Sequence, residues 1–280
     1  PEPVVALRGS GRWALAYEAL SLPMPSANTT VRPEGVYLIT GGLGSIGMTI
    51  AEDLARTFRA RLALLSRRSF PLQSEWQNWL ETHPSADDTS ATIRRLQELI
   101  RLGGMVEVLT ADVANPHDLA AAVTATARRF GTINGVIHAA GVLDDGPVLL
   151  KNRSAAHAVL APKVHGTLLL EAAVKDYPLD FFVVFSSTSA VLGLAGQVDY
   201  VAASAFLNAF ALSRHDTRGK TRAIDWGLWA EQGMAFKAAH PRPPHPAGGD
   251  HGRHPLLGPA EETGRDERVY RPCYDPEQLW

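Results

Sequence analysis

Short apolar runs alternate with longer amphipathic segments along the chain between Val36 and Trp229. The short runs are rich in β-branched residues, as is typical of strands buried on both faces, and they read VYLIT, LALLS, VEVLTADV, INGVIHAAG, FFVVFSS and TRAIDWG. The longer segments have helical periodicity and read IGMTIAEDLARTF, DLAAAVTATARRF, APKVHGTLLLEAAV and VAASAFLNAFALSR. This alternation predicts an α/β fold with a Rossmann-like, doubly wound parallel sheet and right-handed crossovers.

The first predicted strand ends in a glycine-rich turn, TGGLGSIG, in which Gly42, Gly44 and Gly47 have the spacing G-x-G-x-x-G. Such glycines allow a tight turn and a close approach of the backbone to a pyrophosphate, and the following helix presents its positive end to that charge. The motif is weak by itself, but here it joins a strand to a helix, as a dinucleotide site requires. It favours dinucleotide binding over a purely structural glycine turn.

The end of the second strand predicts which dinucleotide binds. An NAD site places a carboxylate there, whereas this chain has Ser66, Arg67 and Arg68. Guanidinium groups suit the additional phosphate of NADPH, although the two arginines could also be solvated loop residues. Asp112, after the third strand, is a candidate partner for the adenine amino group, and capping of its own loop is the alternative.

Composition and charge narrow the class of protein. The 280 residues are 45% hydrophobic, enough for a substantial core, and the net charge of -2 gives no reason to expect nucleic acid or an anionic membrane as a partner. The one cysteine, Cys273, excludes an internal disulfide and predicts a cytoplasmic location. We find no bilayer-spanning apolar run, no signal-peptide pattern and no regular spacing of metal ligands among the histidines.

Reduction of a ketone needs an acid that protonates the developing alkoxide and a donor that holds the carbonyl. Tyr200 and Ser187 are the candidates for these two roles, because both follow predicted strands at the carboxyl side of the sheet. A tyrosine with a pKa near 10 needs a nearby positive charge to work at neutral pH. The residue four after the tyrosine is Ser204 rather than a lysine, so Lys163 is the candidate, unless its side chain only covers the helix face and reaches solvent.

Seven pieces of the sequence together resemble the ketoreductase domain of modular polyketide synthases, a branch of the short-chain dehydrogenase/reductase superfamily. They read VYLITGGLGSIG, LLSRR, ADV, HAAGVLDD, PKVHGT, FSSTSAVLGLAGQVDYVAASAFLNAF and IDWGLWAEQGMA. In that family the lysine comes from the helix that precedes the serine strand, and asparagine stands four after the tyrosine. The resemblance implies that Lys163, Ser187 and Tyr200 are catalytic, and that Ser204 is a fourth catalytic residue in the position of the asparagine.

The same resemblance implies the cofactor, the substrate and the residues that contact them. NADPH would reduce a β-ketoacyl thioester carried on the phosphopantetheine of an acyl carrier protein, and other polyketide synthase domains, with a dehydratase adjacent, would be partners. The cofactor-binding residues would be Thr40, Gly42, Leu43, Gly44, Ile46, Gly47, Ser66, Arg67, Asp112, Val113, Ala139, Ala140, Gly141, Lys163 and Tyr200. No metal is implied.

A stereochemical subtype is also implied. Leu143, Asp144 and Asp145 look like the motif of B-type ketoreductases, which form a D-configured 3-hydroxyl, and Leu192 stands where A-type members have tryptophan. Gln197 is expected to act with this motif in controlling how the substrate enters. The alternative is an ordinary acidic loop.

Four segments are expected in what we take to be part of a longer polypeptide. Residues 1–33 resemble the end of a bracing subdomain, and 34–236 the catalytic domain, whose last strand is either lost or supplied by another part of the parent protein. Residues 237–253 read as a linker rich in Pro, Gly and His, and 254–280 resemble the start of a dehydratase. The segment 70–102 looks like an insertion whose tryptophans pack. Two other functions stay open, namely a scaffold domain without turnover and a free-standing carbonyl reductase.

Overall fold

The computed structural model describes residues 5–14, 30–214, 220–229, 260–263 and 267–270, the last two ranges and Lys220 by their backbone alone. The chain divides into two units, Pro1–Ala239 and His240–Trp280. The first unit contains the predicted sheet. In the second, the structure describes one antiparallel hairpin of β9 (Ala260–Thr263) and β10 (Glu267–Tyr270). None of the described helices has both the length and the apolar character needed to cross a bilayer.

Six parallel strands form the sheet, in the order β5-β4-β3-β6-β7-β8. They are β3 (Val36–Thr40), β4 (Arg61–Ser66), β5 (Met105–Thr110), β6 (Gly135–His138), β7 (Phe181–Ser187) and β8 (Lys220–Trp226). The central strand β3 is buried throughout, as its apolar run predicted. Because the strand order reverses on either side of β3, a cleft is expected beyond the carboxyl ends of β3 and β6.

Helices cover both faces of the sheet. They are α1 (Ser45–Phe58), α2 (Trp76–Thr82), α3 (Asp88–Arg101), α4 (Pro116–Phe130), α5 (Arg153–Lys163), α6 (His165–Val174), α7 (Ser189–Leu192) and α8 (Val198–Ser213). One core cluster joins the sheet to α4, α6 and α8, and the other joins it to α1, α2 and α3. The α/β class and the doubly wound parallel sheet are thus confirmed.

Two expectations about the helices are wrong in detail. The single helix predicted through APKVHGTLLLEAAV is two helices, because Pro162 weakens the end of α5 and the chain turns at Val164 before α6 begins. The presumed insertion 70–102 contains α3, the crossover helix that the parallel pair β4 and β5 requires. Only the part before α3 is additional, and there Trp76 is buried in the core, as expected for a packing residue.

The segment before the sheet contains one described hairpin, of β1 (Val5–Arg8) and β2 (Gly11–Ala14). Residues 15–29 and the proposed linker 237–253 lie outside the described residues. The four segment boundaries therefore stay predictions, as does the absence of a last strand.

Candidate active site

The glycine-rich turn leaves no room for side chains between β3 and α1. A Cβ on Gly42 would lie 2.8 Å from the Cβ of Leu64, and one on Gly47 would lie 2.5 Å from the oxygen of Gly41. Gly44 caps α1 without a side-chain hydrogen bond, and the first turn of this 14-residue helix has no acidic residue. The glycines leave the backbone open to a ligand, and the first backbone N–H groups of α1 have no side-chain acceptor among the described residues. Both features fit a pyrophosphate, so these residues suit a dinucleotide.

The strand that would contact the adenosine half ends as the sequence predicts. Ser66 ends β4 and accepts a hydrogen bond from the backbone nitrogen of Arg68 at 3.2 Å, while the side chain of Arg67 is exposed. Asp112 accepts from the backbone nitrogen of Ala114 at 2.9 Å, which is the loop-capping geometry. That carboxylate keeps a second oxygen, so its predicted contact with adenine stays a prediction. The other predicted cofactor residues follow β3, β5 and β6 and are Leu43, Ile46, Val113, Ala139, Ala140 and Gly141.

A buried hydrogen-bond network joins the cofactor side of the cleft to Lys163. The Nε2 of His138 lies 3.0 Å from the oxygen of Pro162, which can only accept, so Nε2 carries the proton. Its Nδ1 then accepts from the hydroxyl of Thr40 at 2.6 Å, and that hydroxyl accepts from the backbone of Ala140 at 3.3 Å. Burial, with the nearby charge of Lys163, lowers the pKa of His138 to about 4, so the ring stays neutral and holds the end of α5.

Lys163 is the last residue of α5, and only 2% of its surface is exposed. Its ammonium donates to the backbone oxygen of Phe185 at 2.8 Å and lies 4.9 Å from the centre of the Tyr200 ring. Burial lowers the pKa of Lys163 to about 8, while the negative charge of Asp225 acts in the opposite direction. The alternative of a side chain that reaches solvent is therefore wrong.

Tyr200 and Ser187 meet beside that ammonium. Burial raises the pKa of Tyr200, and the neighbouring Ser187 hydroxyl opposes this rise. We expected Lys163 to lower this pKa, but the net change in the structure is upward. The Oγ of Ser187 accepts from both the backbone nitrogen and the hydroxyl of Ser189, at 3.2 and 2.8 Å. The hydrogen of Ser187 is therefore left for an acceptor in the cleft, which in this structure is the Tyr200 oxygen.

Ser204 lies one turn after Tyr200 on α8 and is fully buried. Its backbone oxygen accepts from the hydroxyl of Ser186 at 2.9 Å, which ties α8 to β7. Its hydroxyl has no hydrogen-bond partner among the described residues, although it is near enough to favour the ionised form of Tyr200. A buried hydroxyl without a partner is available to a water or a ligand group.

The acidic loop that follows β6 lies against the start of α8. The amide of Gln197 donates to the carboxylate of Asp145 at 2.8 Å, so the structure brings together two of the residues predicted to control the substrate. Asp144 contacts Lys151 on the same loop, and Leu143 is partly buried beside them.

Sequence reasoning missed three polar residues at this site, the buried His138 and Asp199 and the partly buried Lys151. Lys151 and Asp199 form an ion pair at 2.8 Å, and Asp199 directly precedes Tyr200 in the chain. The signal that could have revealed Asp199 is that it is the only charged residue in the sequence of α8, whereas Lys151 lies beside Asn152 and Arg153 and gives no such signal. No group of three or more side chains suited to a metal ion is found within 5–14, 30–214 and 221–229.

A family model described as "KR domain" matches residues 35–231, which is most of the chain. The 6-methylsalicylic acid synthase of Aspergillus terreus is 38% identical over 216 residues, covering 75% of this chain and 12% of that protein. The chain thus spans a small part of the length of this relative.

Solved structures give the same picture. A ketoreductase domain from the bacillaene assembly line is 33% identical with a TM-score of 0.69, over 82% of this chain and 52% of the other. An A1-type ketoreductase is 32% identical with a TM-score of 0.68, over 84% of this chain and 46% of the other. The similarity to this A1-type structure is almost as high as the similarity to the bacillaene domain, so the comparisons do not select a subtype. The B-type assignment therefore stays a prediction.

Proposed function

Because the chain belongs to the KR domain family, the ketoreductases of polyketide synthases, we propose that it uses NADPH to reduce a β-ketoacyl thioester to the 3-hydroxyacyl thioester. The observation that carries this proposal is the meeting of Lys163, Ser187 and Tyr200 at the end of β7, on the edge of the sheet that carries the glycine-rich turn. Donor, acid and buried cation are the groups that ketone reduction requires.

When bound, NADPH would supply the hydride that adds to C3 of the substrate. The hydroxyls of Ser187 and Tyr200 bind the C3 carbonyl oxygen, and Tyr200 donates its phenolic proton as that oxygen gains negative charge. The ammonium of Lys163, 4.9 Å from the ring centre, stabilises the phenolate that remains. His138, through the carbonyl of Pro162, keeps that ammonium at the inner end of the cleft.

NADPH rather than NADH is proposed because an exposed arginine, Arg67, follows β4 where an NAD site has a carboxylate. The turn around Gly42 and Gly47 would hold the pyrophosphate, and Ser66 with Arg67 would hold the 2′-phosphate. Lys163 would also bind the nicotinamide ribose.

A D-configured product is proposed from Leu143, Asp144 and Asp145 together with Gln197. The bond between Gln197 and Asp145 supports this, since it makes the acidic loop one wall of the cleft beside Tyr200. We further propose an acyl carrier protein as the carrier of the substrate, other synthase domains as neighbours, including a dehydratase after residue 254, and a cytoplasmic location.

The second candidate is a scaffold domain that binds NADPH without reducing a ketone. The buried, unpartnered Ser204 favours it, because a shorter side chain replaces the asparagine expected at that position. A free-standing carbonyl reductase would show no preference for carrier-bound substrate.

The test is NADPH consumption by the purified chain with a β-ketoacyl thioester, offered on a carrier protein, on N-acetylcysteamine and as a simple ketone. We expect turnover with NADPH, less with NADH, and the highest efficiency with the carrier protein. Tight NADPH binding without any reduction would support the scaffold instead.

A further inference from the structure

The acidic loop and the first turn of α8 run side by side next to Tyr200. The backbone nitrogen of Gly146 donates to the oxygen of Gly196 at 2.9 Å, and Gln197 donates to Asp145 at 2.8 Å. The two segments run in opposite directions, because Asp145 meets Gln197 while the next residue of the loop, Gly146, meets the preceding residue, Gly196. Each contact therefore fixes the distance between the loop wall of the cleft and the helix that carries the candidate acid.

The side chain of Lys151 makes a third contact between the acidic loop and α8. Lys151 follows a single 3-10 turn, Val148–Leu150, in which all three side chains are exposed, yet only 9% of its own side chain is exposed. The ammonium donates to the backbone oxygen of Asp144, lies 3.3 Å from the carboxylate of Asp144, and lies 2.8 Å from the carboxylate of Asp199. One side chain thus holds both segments.

Asp199 passes this contact to Tyr200. Its side chain is 3% exposed, and one carboxylate oxygen accepts from the backbone nitrogen of Tyr200 at 2.9 Å. The other oxygen has no hydrogen-bond donor of ordinary geometry among the described residues, so the ammonium of Lys151 compensates its charge. A buried carboxylate without a cation would be costly, so the pair is held together strongly.

From these contacts we propose that Lys151 is a positioning residue for the reduction, which locks the acidic loop to the start of α8 and so fixes the orientation of Tyr200 towards one face of the ketone. The proposal rests on the proposed function. It predicts that Lys151 controls the turnover number and the stereochemical purity of the 3-hydroxyl, whereas NADPH affinity, which depends on the other half of the cleft, does not change.

A pair of this kind could also serve stability alone, and two variants separate the roles. Lys151→Met leaves the buried carboxylate of Asp199 without its cation, so we expect a lower Tm and a turnover number about 10- to 100-fold lower, with both 3-hydroxy epimers formed. The double variant Lys151→Met/Asp199→Asn has no uncompensated charge, so its Tm returns towards the parent value. Its turnover and epimer ratio stay impaired, because the tie between loop and helix is still missing.

The outcomes decide between the roles. Recovery of turnover and of a single epimer together with Tm in the double variant would overturn the proposal, and so would a Lys151→Met protein that keeps both. Lys175→Met is the matched control, because Lys175 lines a different cavity, between α6 and β7, and this variant should match the parent in turnover and in epimer ratio. The NADPH Kd of each variant is measured in parallel and should not change.

A measurement that needs no turnover keeps this inference separate from the proposed function. If the parent reduces no ketoacyl thioester, the proposed function fails, but hydrogen exchange still reports on the tie. We expect Lys151→Met to increase exchange at the amides of residues 143–146 and 198–201, with no change in the strand Gly135–His138. Unchanged protection in both segments would show that Lys151 does not join them.

Discussion

Two nearly buried lysines flank Tyr200 in opposite electrostatic settings. Lys163 faces a backbone oxygen and an aromatic ring, and burial lowers its pKa to about 8. Lys151 lies between two carboxylates, and the contact with the carboxylate of Asp199 raises its pKa, although the loop leaves it nearer to solvent. Lys163 is thus an undercompensated charge, because no carboxylate of the described residues pairs with it directly, whereas the carboxylates of Asp144 and Asp199 compensate the charge of Lys151.

The difference indicates what each lysine does for the protein. A buried cation without a carboxylate partner costs stability, so its retention points to chemistry that needs its charge. A paired cation can hold two segments together without such a cost. We therefore assign the electrostatic role at the candidate site to Lys163 and the geometric role to Lys151.

The largest expected effect is on activity at Lys163. Lys163→Ala removes the positive charge beside the phenol, so we expect the turnover number to fall by about 100- to 1,000-fold, more than for Lys151→Met. Steady-state NADPH oxidation measures it, with Lys175→Ala as the control. Equal losses for Lys163→Ala and Lys151→Met would remove the distinction between the two lysines.

Much of this arrangement could be predicted from the sequence. The strands and the glycine-rich turn followed from apolar periodicity and glycine spacing, whereas the candidate roles of Lys163, Ser187 and Tyr200 came from the resemblance to ketoreductases and stay predictions. The break between α5 and α6 at Val164 was not predicted, because the apolar periodicity of the sequence continues through Val164 although the helix is interrupted there. Lys151 and Asp199 were missed because they are 48 positions apart in the chain and each resembles a solvated charge until the loop folds against α8.

The second effect concerns the pH dependence of stability. The pKa of Lys163 is about 8 in the folded chain and 10.5 in the unfolded chain. Between these two pH values the unfolded chain binds more protons, so the free energy of unfolding rises with pH. The destabilisation caused by burying the charged ammonium is therefore fully present below pH 8. Lys163→Met should stabilise the protein at pH 7, by at most about 3 kcal/mol, with the gain shrinking above pH 8 and gone near 10.5.

Lys151→Met should show the opposite sign. The pKa of Lys151 is raised in the folded chain, so its contribution is fully present below 10.5 and is lost only as the pH rises through the higher folded value. Denaturant unfolding of both variants from pH 6 to 11 measures the two profiles. Destabilisation by Lys163→Met at pH 7 would contradict the assignment of Lys163 as an undercompensated charge.

An exposed cation extends the comparison to the cofactor. Arg67 is proposed to pair only with the 2′-phosphate of NADPH, so Arg67→Ala should raise the KM for NADPH by about tenfold, through loss of a charge-assisted hydrogen bond, and leave the KM for NADH unchanged. Arg68→Ala, its neighbour in the chain, is the matched variant and should have a smaller effect. Equal changes for both coenzymes would show that Arg67 does not select the phosphate.

The smallest effect is expected at Ser204, which lies one turn after Tyr200 on α8. Ser204→Asn supplies a longer side chain with more hydrogen-bonding groups, so we expect turnover to rise by a small factor. The kcat of this variant against Ser204→Ala measures the gain. A clear fall in Ser204→Asn would mean that the fully buried pocket is adapted to serine.

The most direct test of the account is the turnover of Tyr200→Phe with saturating NADPH and a β-ketoacyl carrier protein. We predict a fall in kcat of about 100-fold or more, because the phenolic hydroxyl that donates the proton is absent from this variant. Tyr177→Phe, in the loop between α6 and β7, should keep the parent rate. A Tyr200→Phe protein as fast as the parent would show that another group protonates the alkoxide, and the proposed site would be wrong.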